Sequence, residues 1–401
     1  MEKVSSRVNG ADGFRAIACL LVMYHHAIQR MSIALAPRWV QWLFYVGWRG
    51  EVGVSIFFVL SGCLLSVPFW NSFINGGPKP KLVNYARNRI ARIVPGTWLA
   101  MIVTTYVGYR VIHYPINWAR FFSGMSFTYA FNYKTFFPSE FDGPLWTVGL
   151  EAFCYVVLPF ILFSTFKFGK STRGAAIGLF LWVVFLQALQ PFIISHFMTG
   201  LDGKGWQYGM TGGAKLWMPY WNPISFLSQF LIGSGAALLI CVERKHHYLK
   251  SWHWDAICFV TGIGAFILIC EREIPGTPDA FTKQAYLTPF YPTLIAISLA
   301  SAASGGYLYK ILDNRFFKHV AQISFGLYLW HWFIITMMQA TITKDFTVNG
   351  VDDLYRWLGL TVFAYSLAWG VAILSWRFME KPILNFNRSR IQQKFEIPKV
   401  S

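Results

Sequence analysis

Long apolar runs, separated by short segments rich in Lys, Arg, Gly or Pro, recur from one end of the chain to the other. They fall at 12–30, 50–70, 93–113, 144–166, 174–196, 223–242, 254–271, 288–304, 321–341 and 357–378. Each is about as long as a helix must be to cross a hydrocarbon layer of ~30 Å at 1.5 Å per residue. The pattern predicts an all-α, polytopic membrane protein with about ten transmembrane helices. The first run, ADGFRAIACLLVMYHHAIQR (Ala11–Arg30), carries Arg15 and His26 and lacks a small-residue cleavage site. It is expected to persist as the first membrane helix and not to be removed as a signal.

Composition supports this class and excludes an ordinary soluble domain: 55% of the 401 residues are hydrophobic, 18% aromatic and 13% charged, with mean hydropathy +0.41. With the N-terminus inside, the alternating loops place 21 Lys and Arg residues in cytoplasmic segments and 12 in external ones. That is the asymmetry of the positive-inside rule, and it predicts that both termini are cytoplasmic. The net charge of +17 is thereby spread over short loops and does not mark a nucleic-acid surface. The expected organisation is a single membrane domain over 1–401, its spans covering about 12–378. A basic cytoplasmic tail at 379–401 follows, with no fused soluble domain. The aromatic external stretches near 114–143 and 197–222 suit a membrane-surface belt or a sugar-binding lip, and Trp118–Phe137 reads as an interfacial or re-entrant helix.

Candidate chemistry starts with the polar residues inside these runs, because each is costly in lipid and tends to face a protein interior or an aqueous cavity. Arg15 and His26 lie eleven residues apart, roughly 16 Å along a helix and nearly on one face. His25 points about 100° away from His26. Glu151 sits one to two turns inside the fourth run, at a depth similar to His26. Glu51 lies at the outer start of the second run, Trp146 at the start of the fourth, and His331 between Trp330 and Trp332 in the ninth. Ser61 and Gly62 in the second run read as small residues that let helices approach closely. The densest basic cluster, KPKLVNYARNRIARIVP (Lys79–Pro95), holds Arg87, Arg89 and Arg92. It suits anionic headgroups or a phosphate-rich cytoplasmic ligand. The six cysteines show no metal-ligand spacing, so neither a metal nor a disulfide framework is expected.

Six elements occur in order: Arg15 with ten residues before His26; GEVGVSIFFVLSG (Gly50–Gly62); the RxxR of Arg89 and Arg92 followed by Pro95; PLWTVGLEAFCY (Pro144–Tyr155); ISFGLYLWHW (Ile323–Trp332); and RFMEKP (Arg377–Pro382). Together they resemble the acyltransferase 3 family of membrane O-acyltransferases. That resemblance implies transfer of an acyl group, usually acetyl from cytoplasmic acetyl-CoA, to a carbohydrate hydroxyl at the outer face of a bacterial plasma membrane. The partners implied are the acyl-CoA donor, a carbohydrate acceptor and the lipid bilayer. On this reading His26 is the base, with Glu151 orienting it or contacting the acceptor. Arg15 joins Arg87, Arg89 and Arg92 on the donor phosphates, and Glu51, Trp146 and His331 lie toward the acceptor. Thr147-Val148-Gly149 replaces a more serine-rich step of the family. Buried ionisable groups and the glycine pairs Gly233-Gly235 and Gly262-Gly264 would also suit a membrane transporter or exporter of a small or lipid-linked compound.

Overall fold

The computed structural model describes residues 7–32, 38–197, 214–215, 217–271 and 285–396. Among these residues the fold is helical, with one isolated bridge between Met31 and Val351. The helices are α1 (Ala11–Ile28), α2 (Arg38–Trp48), α3 (Gly53–Asn75), α4 (Leu82–Val111), α5 (Trp118–Ser126), α6 (Trp146–Gly169) and α7 (Thr172–Phe197). The chain continues through α8 (Pro223–His246), α9 (Ser251–Cys270), α10 (Phe290–Ser304), α11 (Leu308–Leu312), α12 (Arg315–Thr341), α13 (Leu354–Ser375) and α14 (Lys381–Glu396).

Every predicted apolar run is helical in the structure. Among the described residues, eight helical segments are long and apolar enough to cross a membrane. The other two runs, α1 and α10, do not qualify on those grounds: α1 carries Arg15, His25 and His26, and α10 has only 15 residues. Three boundaries differ from the sequence reading. α4 begins at Leu82, so the basic stretch forms its first turns. Residues 118–137 form only the short helix α5 followed by turns, with Arg120 buried against Glu140. Residues 376–396 continue helical from α13, so no break marks the start of a tail at 379. The aromatic stretch 197–222 lies largely outside the described residues.

Burial sorts the helices. The most apolar eighteen-residue windows of α3 and α8 are 78% buried and that of α12 is 72%, whereas those of α7 and α9 are 17%. The first group forms the core, and the second turns apolar side chains outward, as lipid-facing helices do. Glycines permit the tightest contacts. A Cβ on Gly62 of α3 would collide with the Phe230 carbonyl of α8, and one on Gly233 of α8 would collide with the Val59 carbonyl of α3. Gly50 and Gly53 likewise abut the carbonyls of Leu21 and Ala18 on α1. The glycines of GEVGVSIFFVLSG are thus the points where α3 meets its two partners.

Candidate active site

α1 passes between α3 and α12 and carries its two polar groups into different surroundings. Arg15 lines a cavity of about 110 Å³ where α1, α3, α4, α6 and α12 converge. Arg89 and Arg92 reach the same cavity from α4, because their spacing of three puts them on one helix face. Arg15 lines the cavity without a hydrogen bond or ion pair to another described residue. Arg87 is exposed and takes no part in the lining. Three of the four arginines singled out from the sequence are therefore brought together, and the fourth is not.

Glu151 lines this cavity from α6, but its partners are Ser61 and Tyr155 and not a histidine. Ser61 Oγ donates to Glu151 Oε1 at 2.9 Å, and the Tyr155 hydroxyl donates to the same oxygen. Ser61, read from sequence as a packing residue, is a ligand of the carboxylate. Tyr155 could have been found, since it stands one helical turn beyond Glu151. The Thr147 hydroxyl, at the point where the sequence departs from the family pattern, hydrogen-bonds Tyr328 at 2.7 Å and also borders the cavity.

His26 is paired with His331. Its Nδ1 lies 2.8 Å from His331 Nε2, with the rings stacked at 5.1 Å, and Trp332 packs edge-on against it at 4.6 Å. His331 Nδ1 lies 2.8 Å from the Leu327 carbonyl, which can only accept. In the neutral pair the protons are then assigned: His331 donates from Nδ1 to Leu327, and His26 donates from Nδ1 to His331. His26 Nε2 is left without a proton, as a base requires. His25 is held apart, with Nδ1 2.7 Å from the Trp48 carbonyl and Nε2 3.0 Å from the Gln29 amide. Both its nitrogens are engaged, which separates it from the role open to His26. Tyr328 joins the two halves of the site: its hydroxyl is bonded at the cavity wall and its ring lies 6.2 Å from that of His331, three residues along α12.

The remaining candidates lie elsewhere. Glu51 is buried in the turn Arg49–Val52, which packs on α1 near Leu21 and His25. Trp146 belongs to an aromatic cluster with Phe136, Trp221 and Phe226 and does not line the cavity.

Residues 8–376 match the Acyl_transf_3 family, an acyltransferase domain. The chain belongs to the acyltransferase 3 family. It is 24% identical over 399 residues to the peptidoglycan O-acetyltransferase OatA of Listeria monocytogenes, covering 94% of this chain and 56% of that protein. It is 23% identical over 395 residues to O-acetyltransferase OatA of Staphylococcus aureus, covering 93% and 57%. The chain therefore spans little more than half the length of these two relatives. Nodulation protein 10 of Rhizobium leguminosarum is 23% identical over 418 residues, covering 99% of this chain and 98% of that protein. No solved structure matches the chain.

Proposed function

We propose that this protein is an integral-membrane O-acyltransferase of the bacterial plasma membrane, moving an acetyl group from cytoplasmic acetyl-CoA to a carbohydrate hydroxyl. The observation that carries the reading is the hydrogen-bonded series His26–His331–Leu327, which leaves His26 Nε2 proton-free on the same helix whose Arg15 lines an arginine-rich cavity. Arg15, Arg89 and Arg92 supply the forked, permanently charged donors that suit the phosphates of an acyl-CoA. The OatA relatives, named for O-acetyl transfer, support acetyl as the group moved and a polysaccharide such as peptidoglycan as an acceptor.

The chemistry follows in balanced steps. His26 Nε2 removes the proton from the acceptor hydroxyl as that oxygen attacks the thioester carbonyl. The tetrahedral intermediate collapses with loss of the C–S bond, and the departing thiolate takes the proton from the His26 imidazolium. His331 Nε2 accepts a hydrogen bond from His26 Nδ1–H throughout and so holds the ring in the basic tautomer. Glu151, bonded by Ser61 and Tyr155, acts at the donor cavity and not as the orienting partner of His26.

The direct test uses purified protein with acetyl-CoA labelled in the acetyl group and peptidoglycan fragments as acceptor. Wild type should transfer label, whereas His26→Ala and Arg15→Ala should not. A His26→Ala protein as active as wild type overturns the assignment of the base. Failure of wild type to bind or turn over acetyl-CoA overturns the donor.

A further inference from the structure

The closing motif RFMEKP (Arg377–Pro382) has no part in the chemistry above, yet it holds a buried carboxylate. α13 does not run directly into α14, because Trp376–Glu380 forms a π-turn. The wider turn rotates the side chains that follow relative to a regular α-helix, and such turns are frequent at functional sites. Here it brings Glu380 inward, to 4% exposure. Glu380 Oε2 lies 3.5 Å from Arg92 Nη1, and its Oε1 accepts from Ser375 Oγ at 3.4 Å.

Arg92 lines the cavity and Glu380 does not, so the carboxylate holds the guanidinium from behind. Such a hold is needed electrostatically, because Arg15 and Arg89 border the same space and like charges repel. The cavity's own carboxylate, Glu151, is engaged by Ser61 and Tyr155. A guanidinium bonded on one edge keeps its remaining N–H donors for a second anion.

We propose that Glu380 is a positioning residue: it fixes the Arg92 guanidinium at the cavity wall in the orientation that receives a phosphate of the acyl donor. The assignment rests on the donor reading above. It has a structural rival, since the same contact ties α4 to the C-terminal helical segment. The Asn387 side-chain amide, which donates to Asn88 Oδ1 at 2.6 Å, ties α4 to α14 without touching Arg92 and serves as the control.

The experiment is titration of coenzyme A into the full-length protein in detergent by calorimetry, with wild type, Glu380→Gln, Glu380→Asp and Asn387→Ala. Glu380→Gln should raise Kd about tenfold, or ~1.4 kcal/mol. Glu380→Asp, which keeps the charge and guards against a folding defect, should fall between, and Asn387→Ala should stay within about twofold of wild type. The sign is decisive, because deleting a negative charge near a polyphosphate site would by itself tighten binding. Unchanged or tighter binding by Glu380→Gln overturns the proposal. So does an equal loss in Asn387→Ala, which would make the contact a tether. If wild type does not bind coenzyme A, the donor reading itself has failed, a result that is separate from any difference among the variants.

Discussion

In the proposed chemistry single side chains carry the reaction, and two of them depend on the group behind them. On the proposed reading His331 acts on His26 by fixing where its proton resides, so the two histidines should be functionally unequal. His26→Ala should lose ~10²–10⁴-fold in acyl transfer, the range of a lost general base. His331→Phe should lose less. His331→Gln should recover part of that loss, because its amide oxygen can accept a hydrogen bond from His26 Nδ1–H. Rates of labelled transfer across pH check this, and a His331→Phe protein with wild-type rate and pH profile would dismiss the proton assignment. A second residue, Asp142, is fully buried just before the first turn of the α6 segment, and among the described residues neither of its oxygens has a hydrogen-bond partner. Burial pushes its carboxyl well above the ordinary value of 3.8. The folded protein therefore holds a proton that the unfolded chain has released, so stability should fall as pH rises from about 3.8 toward the raised value. Asp142→Asn should flatten this part of the melting-temperature profile, and an unaltered profile would count against it.

Helices meet here through missing side chains as much as through apolar ones. The reciprocal glycine contacts of α3 and α8 leave no room for a Cβ on either side. Gly62→Ala should therefore destabilise by ~1–3 kcal/mol through overpacking, read as a lower melting temperature in detergent. Gly235, with open space around it, should accept Ala without such a loss. A Gly62→Ala protein that melts with Gly235→Ala would show that the helices separate freely. The sequence pattern located both helices and marked Gly233-Gly235 only as a pair that would suit a transporter, since a glycine in an apolar run looks the same whether it faces lipid or a carbonyl.

At the scale of the molecule, segments distant in the chain gather at two ends. At one, Arg7 forms an ion pair with Asp313 at 3.6 Å and Arg244 donates to the Arg7 carbonyl. At the other, the Asn349 amide donates to the Gln29 carbonyl, and Arg49 donates to the Ile269 carbonyl. With the first end cytoplasmic, as the basic loops imply, a cysteine at Lys79 should be labelled by impermeant maleimide only from the cytoplasmic side and one at Asn349 only from outside. Labelling of both from the same side would refute the topology.

The sequence by itself determined what depends on local order. Apolar runs long enough to span a bilayer appear as helices with boundaries close to those expected, because hydrophobic length and intrachain hydrogen bonding are properties of a segment. The eleven-residue spacing put Arg15 and His26 on one stripe, and the RxxR spacing put Arg89 and Arg92 on one face, for the same reason. Partners were decided only by tertiary structure. Nothing in the order of residues says that His26 faces His331, 305 positions away, and not Glu151 at a similar membrane depth. Nor does it say that Ser61 meets Glu151, that Arg87 stays outside the cavity, or that a π-turn brings Glu380 to Arg92. Those contacts follow from how the helices rotate about their axes and how closely glycines let them approach, quantities set by all neighbours at once.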